Sequence, residues 1–401
     1  MKQKILIDAR CVGGEGQGML TYLKGLYNAL YETQGEHYEF HFAGYDREAI
    51  QNAFPFVQAA HIHLLENHSR WRLFLWEYPR LLRKLDIDWA HFQYVTPFIK
   101  MSRQIVTTHD VLFLDFKEEF SAWYRWQRKL LFRSSLYASD IRLTVSEYSQ
   151  QKIAQHFELP AATLSITPNA VPAHFFQSYN QKTAQSYIAE CFGAQRYWLY
   201  VSRIEKRKNH ELLLRAFADL SERYPQRELV LIGNNTLEDT ELEELIQTYQ
   251  KRFPNRIHWY KNVSDSDLLL FYRAADLFVY PSKAEGFGIP PLEAAAAGIP
   301  TICANNTALS DFTFFQDNLF MDNDLADLKK CIIQHEEQPQ SPVALAGIKR
   351  RIQQKYNWNN SAAVLHRTIQ ITTTAQKHQK TKHPYQKTKI TAFTSLFDAS
   401  L

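Results

Sequence analysis

The sequence holds no apolar run approaching the ~20 residues that a membrane-spanning helix needs. Cysteine is scarce: Cys11, Cys191, Cys303 and Cys331 are scattered through 401 residues with no CxxC pair. That spacing excludes a cysteine-based zinc site and a disulfide scaffold, and predicts four free thiols in a reducing compartment. Charge of one sign is not in excess either, with 46 basic against 42 acidic residues and a net charge of +4. No global field therefore argues for nucleic acid, and only local basic patches matter. No short repeat of fixed period is present, which excludes a solenoid or propeller. The opening MKQKILIDAR reaches Asp8 after a very short apolar run, so it reads as a strand rather than a signal peptide. The expected location is the cytoplasm, either free or at the inner face of the membrane.

What is present is enough apolar residue, 45%, for more than one core. A chain of this length divides most naturally into two domains with a cleft between them. Residues 4–7 form a β-rich run, the glycine-rich stretch 13–18 follows, and Leu20, Leu23, Leu26, Tyr27 and Leu30 then repeat at helical spacing. Further strands are expected at 38–43, 61–65, 89–92, 104–107 and 141–145. A second series places strands at 198–201, 228–232, 257–259, 277–280 and 301–303, alternating with helices at 209–223, 240–252, 265–274 and 290–297. Such alternation predicts an α/β protein of two doubly wound parallel sheets. The boundaries drawn are a first domain over 1–172, a linker over 173–189, a second domain over 190–355 and a helix over 356–373. Residues 374–401 form a basic tail with little to bury, read as disordered.

The most informative segment is YPSKAEGFGIPPLEAAAAG over 280–298. A strand leads into a Gly-x-Gly loop, prolines suit the first helical positions, and Gly298 suits the helix C-terminal cap. Loops at the carboxyl ends of parallel strands are where ligands bind in open α/β sheets. With no side chains at Gly286 and Gly288, the amides of the loop and helix start are open to a phosphate. Glu285 and Glu293 are better acceptors for sugar hydroxyls than partners for phosphate; the bland alternatives are a solvated loop residue and a dipole-complementing helix residue. A second βα unit, YVSRIEKRKNH over 200–210, offers Arg203 and Lys208 for a diphosphate, against the alternative of a solvated basic run.

Together RIEKRKN over 203–209, VSDSDL over 263–268 and EGFGIPPLEA over 285–294 resemble retaining glycosyltransferase family 4, whose hallmark is a pair of glutamates with seven residues between them. The resemblance runs through residues 1–372 and is sharpest over 199–306. It implies the GT-B fold, two Rossmann-like domains facing each other, and transfer of a hexose from a nucleotide-sugar with retention of configuration. Arg203, Lys208 and the amides of Gly286, Phe287 and Gly288 would then hold the donor diphosphate. Glu293 would hold the ribose, Glu285 the donor sugar, and the main chain near Asn262 and Val263 the base. His109, in Thr108-His109-Asp110 after a strand, would lie beside the donor sugar with its carbonyl and ring both available. Asp110 would orient it or cap the next segment, and a buried structural histidine is the alternative.

Gly16 and Gly18 resemble the family's glycine loop over the donor, though the run 13–18 departs from it. Asn169 falls in a Pro-Asn-Ala-Val stretch where Ala170 replaces a glycine that usually makes the turn. Asp265 and Asp267 have the spacing of metal-binding aspartates but stand at a helix start, where capping is expected. No cofactor and no metal is therefore predicted. Trp358 would anchor the last helix on the first domain.

Two segments, RWRLFLWEY over 70–78 and WYRWQRKLLFR over 123–133, mix aromatics with arginines. One reading is docking to an anionic membrane that carries a lipid-linked acceptor; the other is core helices, with Trp71, Leu75, Tyr78 and Leu82 on one buried stripe. The resemblance points to GDP-mannose as donor and to a bacterial surface-polysaccharide intermediate as acceptor. The alternatives are a UDP- or dTDP-sugar donor, or a non-catalytic nucleotide-sugar-binding protein on the same fold.

Overall fold

The computed structural model describes residues 2–13, 17–235 and 238–382, the last of these as backbone alone from residue 376. The first sheet contains β1 (Gln3–Asp8), β2 (Tyr38–Gly44), β3 (Ile62–Leu64), β4 (Trp89–Gln93), β5 (Arg103–Thr107), β6 (Ile141–Thr144) and β7 (Leu164–Ile166). The second contains β8 (Tyr197–Val201), β9 (Glu228–Ile232), β10 (Ile257–Tyr260), β11 (Leu277–Tyr280), β12 (Thr301–Asn305) and β13 (Leu319–Met321). Their orders are β3-β2-β1-β4-β5-β6-β7 and β10-β9-β8-β11-β12-β13, with neighbours paired in parallel. This is the two-sheet α/β architecture expected.

Strands such as Leu277–Tyr280 are buried at every position. Helices cover both faces of a parallel sheet, so an unbroken apolar run rather than an alternating one is what such a strand requires. Strand order reverses between β1 and β4 and again between β8 and β11. These reversals are the crevices where a ligand reaches the carboxyl ends.

Four stretches differ from the sequence expectation. β7 and β13 were not expected, because three residues are too few to show a period. Helix Gln181–Phe192 occupies much of the expected linker and packs on helix Asp265–Ala274 of the second domain. The last helix, Trp358–Lys382, runs on past residue 373, so the first part of the expected tail is helical; residues 383–401 lie outside the described residues.

That last helix joins the two halves. It packs along helix Gln17–Gln34, where the Trp358 ring lies so close over Gly25 that a Cβ there would stand 1.9 Å from Trp358 Cε2. Ser361 Oγ donates to the Pro168 carbonyl at 2.7 Å, and Ala362, Leu365 and Ile369 are buried in the shared core. Ala170 is buried and has no positive φ, so the turn that seemed to call for glycine is made without strain.

The buried stripe expected over 71–82 is broken. Residues Leu73–Glu77 form a π-helical turn, whose extra residue shifts the register. Leu73, Phe74, Tyr78 and Leu82 are buried, while Trp71 and Trp76 stand 55% and 73% exposed. Trp123 and Trp126 are also exposed and stack on each other at 5.1 Å. Among the described residues no helix is long and apolar enough to cross a membrane, and all four cysteines are free.

Candidate functional site

The loop after β11 is shaped by its glycines. Gly288 has φ +96°, and a Cβ there would meet Leu309 Cδ2 at 2.4 Å, so any other residue would be strained and would push Leu309 aside. It starts helix Ile289–Ala296, which has proline in its first positions and no side-chain cap. Pro290 and Pro291 carry no N–H, so the amides left for an anion at this helix start are those of the glycine loop and of Ile289. At Gly286 the two domains touch. A Cβ there would lie 2.7 Å from Asp110 Cβ, and its carbonyl accepts hydrogen bonds from Ser146 Oγ (2.8 Å) and Ser149 Oγ (3.1 Å) of the first domain. Asp311 of the second domain in turn accepts the Glu147 and Tyr148 amides at the start of helix Glu147–Phe157.

Strands β8 and β11 are neighbours, so the loops that follow them meet. After β8 the chain makes a single turn, Lys206–Lys208, closed by Asn209 in the left-handed conformation and by the Tyr200 hydroxyl donating to the Lys208 carbonyl at 2.5 Å. The turn aims Lys208 inward, where its Nζ lies 2.6 Å from Glu285 Oε1. Tyr280 OH donates to the same oxygen at 2.8 Å, and Arg207 reaches Glu285 Oε2 at 3.5 Å. Burial would push the Glu285 carboxyl up, but Lys208 and Arg207 outweigh it and hold it at about 2. Arg203 is half exposed and bound to Glu205 at 2.8 Å, and Glu205 is shared with Arg207 at 2.8 Å.

Across the cleft, β5 delivers His109 and its neighbour β4 delivers Gln93, whose Oε1 lies 2.6 Å from His109 Nε2. The ring sits edge-on to Tyr22 at 4.9 Å and is tilted against Tyr94 at 5.4 Å. Burial holds its pKa at about 4, so the imidazole is neutral at ordinary pH. Nε2 donates to Gln93, so the ring nitrogen left free is Nδ1, alongside the backbone carbonyl. Asp110 caps the Leu112 amide at 3.2 Å, and Gln93 is the residue that orients His109. Behind them a buried chain runs from Tyr27 through His91 and Thr107 to Tyr22 and Thr167, fixing the floor of the cleft.

Glu293 accepts from Tyr272 OH at 3.0 Å. Burial raises its pKa from 4.5 to about 7. Between those values the folded chain keeps a proton that the unfolded chain has released, so stability falls as pH rises through 4.5 to 7 and is level above. Glu293→Gln is expected to remove that slope. By denaturant unfolding the variant should match wild type near pH 4.5 and exceed it at pH 8 by on the order of 2 kcal/mol. Equal stability at both pH values would show that Glu293 is not held against its charge.

Two hollows adjoin these groups. One of about 200 Å³ lies between the domains, with Tyr94, Phe113, Tyr124 and Arg128 on one side and Arg207 and Ala284 on the other. The other, an open groove of about 500 Å³, includes Asn234, Asn235, Lys261 and Asn262 at the ends of β9 and β10. Asn262 lies in this groove with its amide bound to Asn234 Oδ1 at 2.8 Å, and the adjacent Val263 packs against the core.

The remaining expectations fall in different places. Gly16 lies outside the described residues. Gly18 is exposed, with nothing within 4 Å of a Cβ. Phe287 is buried against Phe312 and Tyr356. The Asn169 side chain is buried with Oδ1 unpartnered. Ser264 caps helix Asp265–Ala274 by accepting the Asp267 amide at 3.1 Å and donates its hydroxyl to Asp267 Oδ2 at 2.7 Å, so the cap is Ser264, one residue before the aspartates expected to cap. Sequence reasoning passed over Arg207, Glu205 and Gln93. Of these, Arg207 shows in the sequence only as one member of a KRK run, and Gln93 lies just past the strand expected over 89–92 with no signal of its own.

Residues 17–175 match the family model described as Glycosyltransferase Family 4, and residues 186–356 the one described as glycosyl transferases group 1. O-antigen chain mannosyltransferase B of Escherichia coli is 30% identical over 265 residues, which cover 61% of this chain and 68% of that protein. The serotype-specific mannosyltransferase WbdA of Escherichia coli is 27% identical over 199 residues, 48% of this chain but 24% of that longer protein. Among solved structures, Anabaena HepE in complex with UDP superposes with a TM-score of 0.72 at 14% identity, covering 92% of this chain and 99% of that one. Sucrose-phosphate synthase from Thermosynechococcus elongatus gives 0.73 at 18% identity, covering 93% of this chain and 100% of that one.

Proposed function

This chain belongs to glycosyltransferase family 4 and is a glycosyltransferase, and on that premise we propose that it moves mannose from GDP-mannose to a glycan hydroxyl. The acceptor we infer is a lipid-linked intermediate of a bacterial surface polysaccharide. The observation that carries the reading is the meeting of the loops after β8 and β11. It puts three cations, an uncapped helix start and an ionised glutamate at the carboxyl edge of the second sheet, opposite His109. The mannosyltransferase relatives support the choice of sugar.

In this reading the amides of the Gly286–Gly288 loop and of Ile289, the dipole of helix Ile289–Ala296, Arg203 and Lys208 stabilise the charge that develops on the leaving diphosphate. Glu293 accepts the ribose hydroxyls, which favour its ionised form. Glu285, fixed by Lys208, Arg207 and Tyr280, positions the donor sugar. The acceptor oxygen attacks the anomeric carbon from the face that the diphosphate leaves. The carbon–oxygen bond to phosphate breaks, and the acceptor proton passes to the departing phosphate oxygen, so configuration is retained. Cationic side chains and helix amides take the place that a divalent metal fills in other transferases, and the reaction is proposed to be metal-independent. The hollow between the domains, aromatic on one side and with Arg128 and Arg207 at its ends, is the proposed acceptor entrance. The exposed Trp71, Trp76, Trp123 and Trp126 would face an anionic membrane on the cytoplasmic side.

The test is a thermal-shift panel in EDTA with GDP-mannose, UDP-glucose, UDP-GlcNAc, UDP-galactose and dTDP-rhamnose, on wild type and on Arg203→Ala, whose exposed side chain is not needed for folding. GDP-mannose is expected to raise Tm in wild type by several degrees and Arg203→Ala to lose most of that gain. Stabilisation by a UDP- or dTDP-sugar instead would replace the donor but keep the site. No stabilisation by any donor would overturn the site.

A further inference from the structure

Four titratable side chains outside the cleft meet where β2 and β3 pair. Strand alternation puts Glu39 and His41 on one face of β2, and His61 and His63 stand two apart along the neighbouring segment. Phe42 pairs with Ile62 and Ala43 with His63, which sets His41 across from His61, and their rings lie 4.4 Å apart. His41 Nε2 is 2.8 Å and His61 Nε2 4.0 Å from Glu39 Oε1. One ligand atom from each of these three lies within 4.8 Å of the others, the one such group among the described residues. On its far side, His41 Nδ1 is 3.0 Å from His63 Nε2.

We propose that Glu39, His41 and His61 form a site for a divalent transition-metal ion of the zinc class, with His63 as the positioning residue behind His41. Tetrahedral zinc with nitrogen and oxygen ligands near 2.0–2.2 Å sets ligand atoms about 3.3 Å apart. The distances of 2.8 and 4.0 Å lie on either side of that value, so small side-chain rotations close the site. Two imidazoles and one carboxylate suit zinc better than magnesium or calcium, which prefer all-oxygen shells. His63 supplies what a ligating histidine ordinarily has, a partner for its second ring nitrogen. When His41 Nδ1–H donates to His63, the Nε2 lone pair faces the Glu39 carboxylate, and a cation between them turns that repulsion into attraction. Lys4, Lys84 and Arg47 add opposing positive charge nearby and moderate the affinity. The site lies on the outer side of the first sheet, three strands from β5. It would tie the short edge strand β3 to β2 and take no part in transfer.

The experiment uses the full chain without a histidine tag, stripped with EDTA. Zn²⁺ binding is measured by calorimetry, and the Co²⁺ form by its visible absorption. One equivalent of Zn²⁺, tetrahedral Co²⁺ bands and a rise in Tm on adding Zn²⁺ are expected. Glu39→Gln and His61→Ala, both partly exposed and tolerant of replacement, should lose the bound equivalent, and His63→Gln should weaken it about tenfold. Absence of stoichiometric binding in wild type overturns the proposal. So does binding that survives Glu39→Gln and His61→Ala, since the ion would then sit elsewhere, for example on the exposed Cys191 thiol.

Discussion

Lys208→Met is expected to cost about 3–5 kcal/mol of folding stability and to abolish sugar transfer. The substitution keeps most of the volume but strands Glu285, a buried carboxylate that has Lys208 Nζ at 2.6 Å and Arg207 only at 3.5 Å. An unpaired buried charge is costly, whereas the pair as a whole contributes little net stability, so the double variant Lys208→Met/Glu285→Gln should recover most of the loss. It should not recover transfer, because both groups face the donor. Urea unfolding at constant m value separates the two, and release of nucleoside diphosphate reports activity. The sign with pH follows from Glu285 being held at about 2 rather than its usual 4.5. Its contribution is present above pH 4.5 and is lost as pH falls towards 2. The double variant should lack that acid-sensitive component, and if it unfolds as readily as Lys208→Met, the ion pair is not the origin of the effect.

Gly286→Ala should lower kcat/KM about 100-fold while donor affinity changes only a few-fold. The added methyl would sit 2.7 Å from Asp110 Cβ and 2.9 Å from Asp110 Oδ2, so the domains must part to accept it. The proposed donor contacts all lie on the second domain and move together. His109 and the acceptor hollow lie largely on the other side, and a misplacement of about 1 Å between reacting groups is enough for such a loss. Isothermal calorimetry for the donor and initial rates for the transfer give the two numbers. Unchanged rates would mean that the loop yields freely and that the approach of Gly286 to Asp110 is not part of the working geometry.

How far the sequence carried these conclusions depends on what each residue's role requires. The strands and the loop over 285–293 were legible because a buried parallel strand must be apolar throughout and a close-packed loop must be glycine. Lys208 and Glu285 were legible as chemistry but not as a bonded pair, since nothing local records that β8 and β11 are neighbours in the sheet. Arg207 was hidden by its own surroundings: in a KRK run every member looks solvated, and only the one-turn helix decides which side chain faces the cleft. Gln93 could not be read at all, because a glutamine at a strand end has no pattern until the adjacent strand brings His109 beside it. The stripe over 71–82 failed for a different reason. A single π turn inserts one residue, so the face that holds Tyr78 and Leu82 after it is not the face that holds Trp71 before it.

The contact of Trp358 with Gly25 has a consequence for synthesis. The first domain's opening helix has an indented surface at Gly25 that only a ring more than three hundred residues later fills. While the chain is being made, that surface stays uncovered until more than three hundred further residues have been added. Domains ordinarily mature one after another as they emerge, but here the earlier one waits for the later one to be finished, and its apolar flank needs shielding for most of the time that translation takes.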